Sequence, residues 1–266
     1  MHTPVRPRAV RRRANVLGVG IDAVSPPVVL EALFDRSGQR GSGYVCVTGV
    51  HGVMEAQRDP ELMRILNESL LTVPDGMPTV WMGRLQGHRT MSRVYGPTLL
   101  LDVCRLSAQT GHTHFFYGGT EGVADELAAR LVERFPGLRV VGTFTPPFRP
   151  LNAVEEAALR ERVERTRPDF FWVGLSTPKQ ERFMAAHSGQ LAAKVMLGIG
   201  AAFDMHSGRT RQAPSWMQRS GLEWLFRMLH EPRRLFWRYA RNNPGFIARA
   251  LLQVTGLRRY SLPTER

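Results

Sequence analysis

Asp75 ends the run LTVPDG (71–76), where four strand-like residues meet an Asp-Gly turn and the helix-compatible MPTVWMGRLQG follows. Glycine permits the sharp strand exit that such a turn requires. In an open α/β sheet, ligands bind in the crevice beyond the strand ends, so a carboxylate there faces a cleft and can act as a general base. Taken alone, the hexapeptide reads better as a turn or helix N-cap, a common use of aspartate. Three other strand ends combine small and polar residues: Thr48–Gly49, Gly118–Gly119–Thr120, and Gly174 through Lys179 and Gln180. Backbone amides at a helix N-terminus hold phosphate, because unpaired donors and the helix dipole converge there. FFYGGTEG and GLSTPKQE both fit that geometry, and two such loops point to a nucleotide-diphosphate ligand. Neither is a G-x-G-x-x-G or Walker loop, so a dinucleotide or ATP site is not supported.

No D-x-D, H-x-x-x-H or C-x-x-C occurs, so no metal and no other cofactor is expected. The histidines are scattered, most at surface or turn positions; His51, just past the Thr48 strand end, is the exception. Cys46 and Cys104 sit in apolar runs and read as buried thiols in a reducing compartment.

The elements that must position these residues alternate along the chain. VLGVGIDAV reads as a strand and its exit, followed by a helix from Pro26 to Arg36. YVCVTG (44–49), THFFYGG (113–119), LRVVGTF, DFFWVGL (169–175) and KVMLGIG (194–200) are further strands, separated by helices. Nearly continuous apolar strands between helices indicate an α/β chain with a parallel sheet covered on both faces. After Asp204 the pattern changes. Trp216–His230, Pro232–Asn243 and Phe246–Thr255 are helical, Arg-rich and aromatic, with Pro232 and Pro244 placed as helix starts. The expected division is a disordered basic arm over 1–15, a core over 16–204 and a helical appendage over 205–266.

The net charge of +13 is concentrated at the ends. Residues 1–15 carry five Arg and no acid, and 205–266 carry twelve Arg against three Glu, while the body between them is near neutral. Basic ends on a neutral body suit either an anionic membrane surface or nucleic acid. A nucleic-acid-binding protein is the alternative reading; against it, no recognition motif appears and the neutral core has pocket-like strand ends. A dehydrogenase or methyltransferase lacks its first-strand glycine pattern. The N-terminus has arginines but no apolar stretch behind them, so no signal peptide is expected, and no apolar run reaches the ~18 residues of a membrane span.

The motifs YVCVTGVHGVMEA, LTVPDGMP, MSRVYGP, FFYGGTEGV, DFFWVGLSTPKQE, GIGAAFDMHSG and RQAPSWMQRSGLEWLFRMLHEPRRLFWRY together resemble the WecG/TagA/CpsF bacterial glycosyltransferases. The resemblance runs in order from about Val16 to about Phe246. It implies a Rossmann-like core with a C-terminal appendage. It also implies inverting, metal-independent transfer of a sugar of N-acetylmannosamine type. The sugar would pass from a UDP-sugar donor to a polyprenyl-diphosphate-linked saccharide in cell-surface polysaccharide synthesis. Asp75 matches the family's general base, Arg93 its pocket arginine, and Thr48 and Gln180 polar residues of its pocket. Gly118, Gly119, Gly174, Lys179 and Asp204 complete the expected donor side. Without a D-x-D, helix N-termini and arginines must offset the charge of the leaving UDP. Arg93, expected to be catalytic beside Asp75, and the appendage arginines Arg211, Arg227, Arg234 and Arg238 are the candidates; the appendage arginines, with His51, are also expected at the acceptor diphosphate. The chain departs from the family where an Asn is usual two residues after the Thr, here Val50, and where R-A-P is usual, here Gln212-Ala213-Pro214. The aromatic, Arg-rich tail implies peripheral attachment to the cytoplasmic face of the membrane.

Overall fold

The computed structural model describes residues 12–38 and 42–263. A hairpin, β1 (Arg13–Val16) and β2 (Val19–Asp22), precedes α1 (Pro26–Ser37). Next come β3 (Gly43–Thr48), α2 (Val50–Ala56), α3 (Pro60–Glu68), β4 (Leu71–Pro74) and α4 (Met77–Leu85). They are followed by α5 (Gly96–Thr110), β5 (Thr113–Gly118), α6 (Val123–Arg134), β6 (Arg139–Phe144) and α7 (Ala153–Thr166). β7 (Phe170–Gly174), α8 (Lys179–His187), β8 (Val195–Gly198) and α9 (Ala202–His206) complete the alternating part. The chain then continues as α10 (Ser215–Arg219), α11 (Glu223–His230) and α12 (Pro232–Val254).

β3 to β8 form one parallel six-stranded sheet in the order β4-β3-β8-β7-β5-β6. Successive side chains of a strand point to opposite faces, and both faces here are apolar. Phe115, Tyr117, Phe171 and Val173 pack under α2, α3, α7 and α8. Phe116, Phe170 and Trp172 pack under α1, α5, α6 and α9. The chain thus has the Rossmann-like α/β architecture its apolar runs indicate.

Four local expectations are corrected. VLGVGIDAV is not one strand of the sheet. It spans the turn of an antiparallel hairpin, with Leu17 at φ 54° and Gly18 at φ 85°. Because Arg13–Val16 is a strand, the arm drawn over residues 1–15 cannot include Arg13 to Asn15; its residues 1–11 lie outside the described residues. Trp216–His230 is not one helix: Gly221, at φ 77°, separates α10 from α11, and a Cβ there would sit 3.0 Å from Trp81. Conversely, Pro244 starts no helix but lies inside α12. α12 lies along α2, and its buried Asn242 and Phe246 flank the proline, so packing outweighs the hydrogen bond that a mid-helix proline forfeits.

Candidate active site

The C-terminal ends of the sheet strands open into a cleft of about 1480 Å³, walled on the other side by α11 and α12. Asp75 stands at its floor. The Asp75 amide donates to the Thr48 carbonyl at 3.0 Å, extending the β3–β4 register beyond Thr48↔Pro74. The amide of Gly96, first residue of α5, donates to Asp75 Oδ1 at 3.1 Å. Oδ2 accepts no hydrogen bond among the described residues and lies beside Gly49, where a Cβ would come within 3.8 Å of it. Burial pushes the Asp75 carboxyl above the usual carboxylate range. Arg93 pulls the other way, Glu223 adds to the rise, and the Gly96 amide and Arg227 oppose it.

Arg93 is a bracket. Its Nε donates to the Asp75 carbonyl, one terminal nitrogen donates to the Gln218 carbonyl at 3.1 Å, and the other pairs with Glu223. The guanidinium lies 4.1 Å from the centre of the Tyr95 ring, and Tyr95 donates its hydroxyl to the second Glu223 oxygen at 2.9 Å. Every Arg93 nitrogen therefore meets a protein acceptor, and both Glu223 oxygens are occupied. Arg93 lines the cleft, as expected of a pocket arginine, and at the same time ties the β4 exit to α10 and α11. Sequence reasoning missed Glu223 and Tyr95. The available signal was an acid, in GLEWLFR, within a tail that otherwise carries almost only arginines.

His51 opens onto the cleft from α2. Arg58 donates to Asn242 Oδ1 at 3.1 Å, which fixes the amide so that its Nδ2 donates to His51 Nδ1 at 3.0 Å. The proton then sits on Nε2, which is buried, and the ring interacts with the Thr177 backbone. Burial, and after it Arg238, lower the His51 pKa to about 4, so the ring is a neutral donor near pH 7.

The glycine loops serve close packing. A Cβ on Gly118 would lie 2.6 Å from the Gly174 carbonyl oxygen, and one on Gly174 would lie 2.6 Å from the Phe203 ring. The Gly119 amide donates to the Gly174 carbonyl at 3.0 Å, so it is not free for a phosphate. Gly119 and Gly174 line the cleft while Gly118 lies behind them.

Lys179, exposed at the start of α8, also lines the cleft, as does the buried Gln180. Gln180 Nε2 donates to Glu181 at 3.1 Å, and its Oε1 is buried without a partner. Thr48 is buried beneath Gly52, its hydroxyl without a partner, and is not part of the lining. Asp204 faces the cleft from α9; burial raises its pKa, opposed by Arg234.

Of the tail arginines, Arg227, Arg234 and Arg238 line the cleft; Arg211 is exposed outside it. Arg209, two residues earlier, bonds Glu126 and Thr120 and so closes the chain onto the GGTEG loop. Arg234 pairs with Glu231 at 2.5 Å, whereas Arg227 and Arg238 pair with no carboxylate among the described residues. Burial lowers the Arg238 pKa, and its neighbours Arg227 and Arg234 add to that effect. A crowd of cations with few counterions is a site for a polyanion. Among the described residues, no group of three or more His, Cys, Asp and Glu is placed to hold a metal, and no helix is long and apolar enough to cross a membrane.

A Rossmann-like cleft with one free carboxylate oxygen at its floor and arginines on its wall is the build of a group-transfer enzyme handling phosphorylated substrates. The family described as Glycosyl transferase WecG/TagA/CpsF matches residues 14–260. The chain belongs to that family and is a glycosyltransferase of cell-envelope polysaccharide synthesis. It is similar to the N-acetylglucosaminyldiphosphoundecaprenol N-acetyl-beta-D-mannosaminyltransferase of Bacillus subtilis strain 168, with 27% identity over 70% of this chain and 69% of the relative. The enzyme of the same name from Bacillus spizizenii is 28% identical over 74% of each chain. That from Staphylococcus aureus strain MRSA252 is 24% identical over 87% of this chain and 90% of the relative.

Proposed function

We propose that the chain transfers a sugar of N-acetylmannosamine type, with inversion and without a metal, from a UDP-sugar to a saccharide carried on polyprenyl diphosphate. The observation that carries this reading is the pairing of the free Asp75 Oδ2 with the Arg227, Arg234 and Arg238 cluster in one cleft. The acceptor hydroxyl attacks the anomeric carbon while Asp75 Oδ2 takes its proton. The bond from that carbon to the UDP oxygen breaks, and UDP leaves with the electron pair. A raised carboxyl pKa makes Asp75 a stronger base than an exposed aspartate. Arg227 and Arg238, lacking carboxylate partners, meet the negative charge of the diphosphates, and Lys179 adds a cation at the opposite wall. His51, neutral near pH 7, lines the cleft beside them.

Single displacement on an α-linked donor yields a β-glycoside, which agrees with the β-linkage in the relatives' names. Work at the cytoplasmic face of an anionic membrane is supported by α12, where Phe236 and Trp237 are exposed among Arg233, Arg234 and Arg241. The test is product analysis with a panel of UDP-sugars and a water-soluble lipid-diphosphate acceptor analogue. One UDP-sugar is expected to give UDP and a β-linked product. Transfer from none of them, or an α-linked product, overturns the reading.

A further inference from the structure

The cleft does not end at the arginines. α12 presents one continuous stripe to it, and the stripe changes character along its length. Arg234 and Arg238 come first, then Tyr239, Asn242 and Asn243; every lining residue after Asn243 is apolar. At 1.5 Å per residue the stripe from Arg234 to Val254 is about 30 Å long. The facing wall is α4, which starts just after Asp75, and every residue it contributes to the lining is apolar too. The two walls leave large side chains open across the groove: Trp81 (45% exposed) and Leu85 (69%) on α4, with Ile247 (58%), Leu251 (60%) and Val254 (53%) on α12.

The groove is braced at its far end. Gln86, which caps α4, donates to the Asn15 carbonyl at 2.8 Å and accepts the Asn15 amide at 2.8 Å. Gln253, near the end of α12, donates to the same carbonyl at 2.8 Å and accepts the Leu17 amide at 3.0 Å. The hairpin thus fixes the spacing of both walls through one shared carbonyl, with their apolar faces uncovered.

We infer that this groove holds the first isoprene units of the lipid-linked acceptor. The argument is continuity: a cationic site at one end of α12 fits the diphosphate, and hydrocarbon bonded to it must leave along a surface that removes it from water. The inference rests on the proposed polyprenyl-diphosphate acceptor and names a subsite of it. Shielding even part of a five-carbon unit strengthens binding on the order of tenfold.

The test is calorimetric titration of the full chain with geranylgeranyl diphosphate and with inorganic diphosphate, without membrane. The wild-type chain is expected to bind the prenyl compound at least about 100-fold tighter. Leu251→Asp and Leu85→Asp, on opposite walls, are each expected to weaken prenyl binding at least about tenfold and to change inorganic diphosphate binding less than twofold, with unchanged melting temperature. Equal affinity of the wild-type chain for both ligands, or prenyl binding indifferent to both variants, overturns the inference. So does a dimer that Leu251→Asp dissociates without loss of prenyl affinity, which would make the face a contact between two copies. No sugar transfer is read, so the two proposals fail separately: a prenyl preference without transfer sinks the function, and transfer without a prenyl preference sinks the groove.

Discussion

Asp75→Asn is the perturbation that bears most directly on the chemistry. An asparagine can keep its Oδ1 on the Gly96 amide, 3.1 Å away in the native chain, and place its Nδ2 where Oδ2 faces the cleft. Shape is preserved and only the basic oxygen is lost. General-base assistance is worth about 10²–10⁴-fold in rate, so kcat should fall by that factor while UDP-sugar affinity changes little. The stability consequence has the opposite sign. The Asp75 carboxyl titrates above its ordinary range in the folded chain, so the folded state holds that proton more tightly than the unfolded state. Its contribution to stability is therefore present at low pH and lost as pH rises through the raised pKa. At pH 7 the ionised carboxyl is a burden that asparagine lacks, and the variant should melt at or above the wild-type temperature. The pH–rate profile of the wild type should fall on its acid side through a pKa above the usual carboxylate range. The assays are radiolabelled transfer to a soluble acceptor, donor titration and thermal unfolding. Activity within a few-fold of wild type would refute the base assignment and leave Asp75 as a turn residue.

Other outcomes follow from the same geometry. Transfer should survive excess EDTA, because arginines carry the phosphate charge; loss restored by Mg²⁺ or Mn²⁺ would contradict this. Arg227→Ala removes a charged donor that pairs with no carboxylate, so KM for the lipid-diphosphate acceptor should rise about 10–100-fold with little change in melting temperature. Glu223→Gln leaves Arg93 without its carboxylate; about 1–3 kcal/mol of stability should be lost, lowering the melting temperature by a few degrees, and kcat should fall with it. An unchanged melting temperature would show that the Arg93 bracket does not hold α11.

The parallel sheet was legible because its strands are buried on both faces, which leaves apolar runs such as DFFWVGL with no polar interruption. The Asp75 turn was legible because Pro-Asp-Gly has few other uses. The hairpin was not: its two-residue turn places Leu17 and Gly18 in the left-handed region, and leucine there gives none of the Asn-Gly or Asp-Gly signal of such turns. Asn15 supplies the missing local chemistry, accepting the Gly18 amide on its side chain at 2.8 Å. Arginine roles were half legible. Composition placed a cluster in the tail, but which members face the cleft depends on the rotation of α11 and α12. Arg211 lies exposed outside the cleft, and Arg93 lines it while paired with Glu223, neither of which composition shows.

The brace at Asn15 also sets an order of events during synthesis. The Leu17 amide finds its acceptor on Gln253, 236 residues later, and Asn15 Nδ2 bonds the Tyr260 carbonyl, 245 residues later. A ribosome releases the first strand long before those partners exist, so the hairpin must wait with the Leu17 amide lacking its acceptor. Contacts this distant in sequence form late, after the sheet has assembled from nearer neighbours. A chain that stops short of Gln253 therefore loses more than its tail. It leaves its earliest strand unfinished, and premature termination becomes visible at the N-terminus as exposed, protease-sensitive backbone.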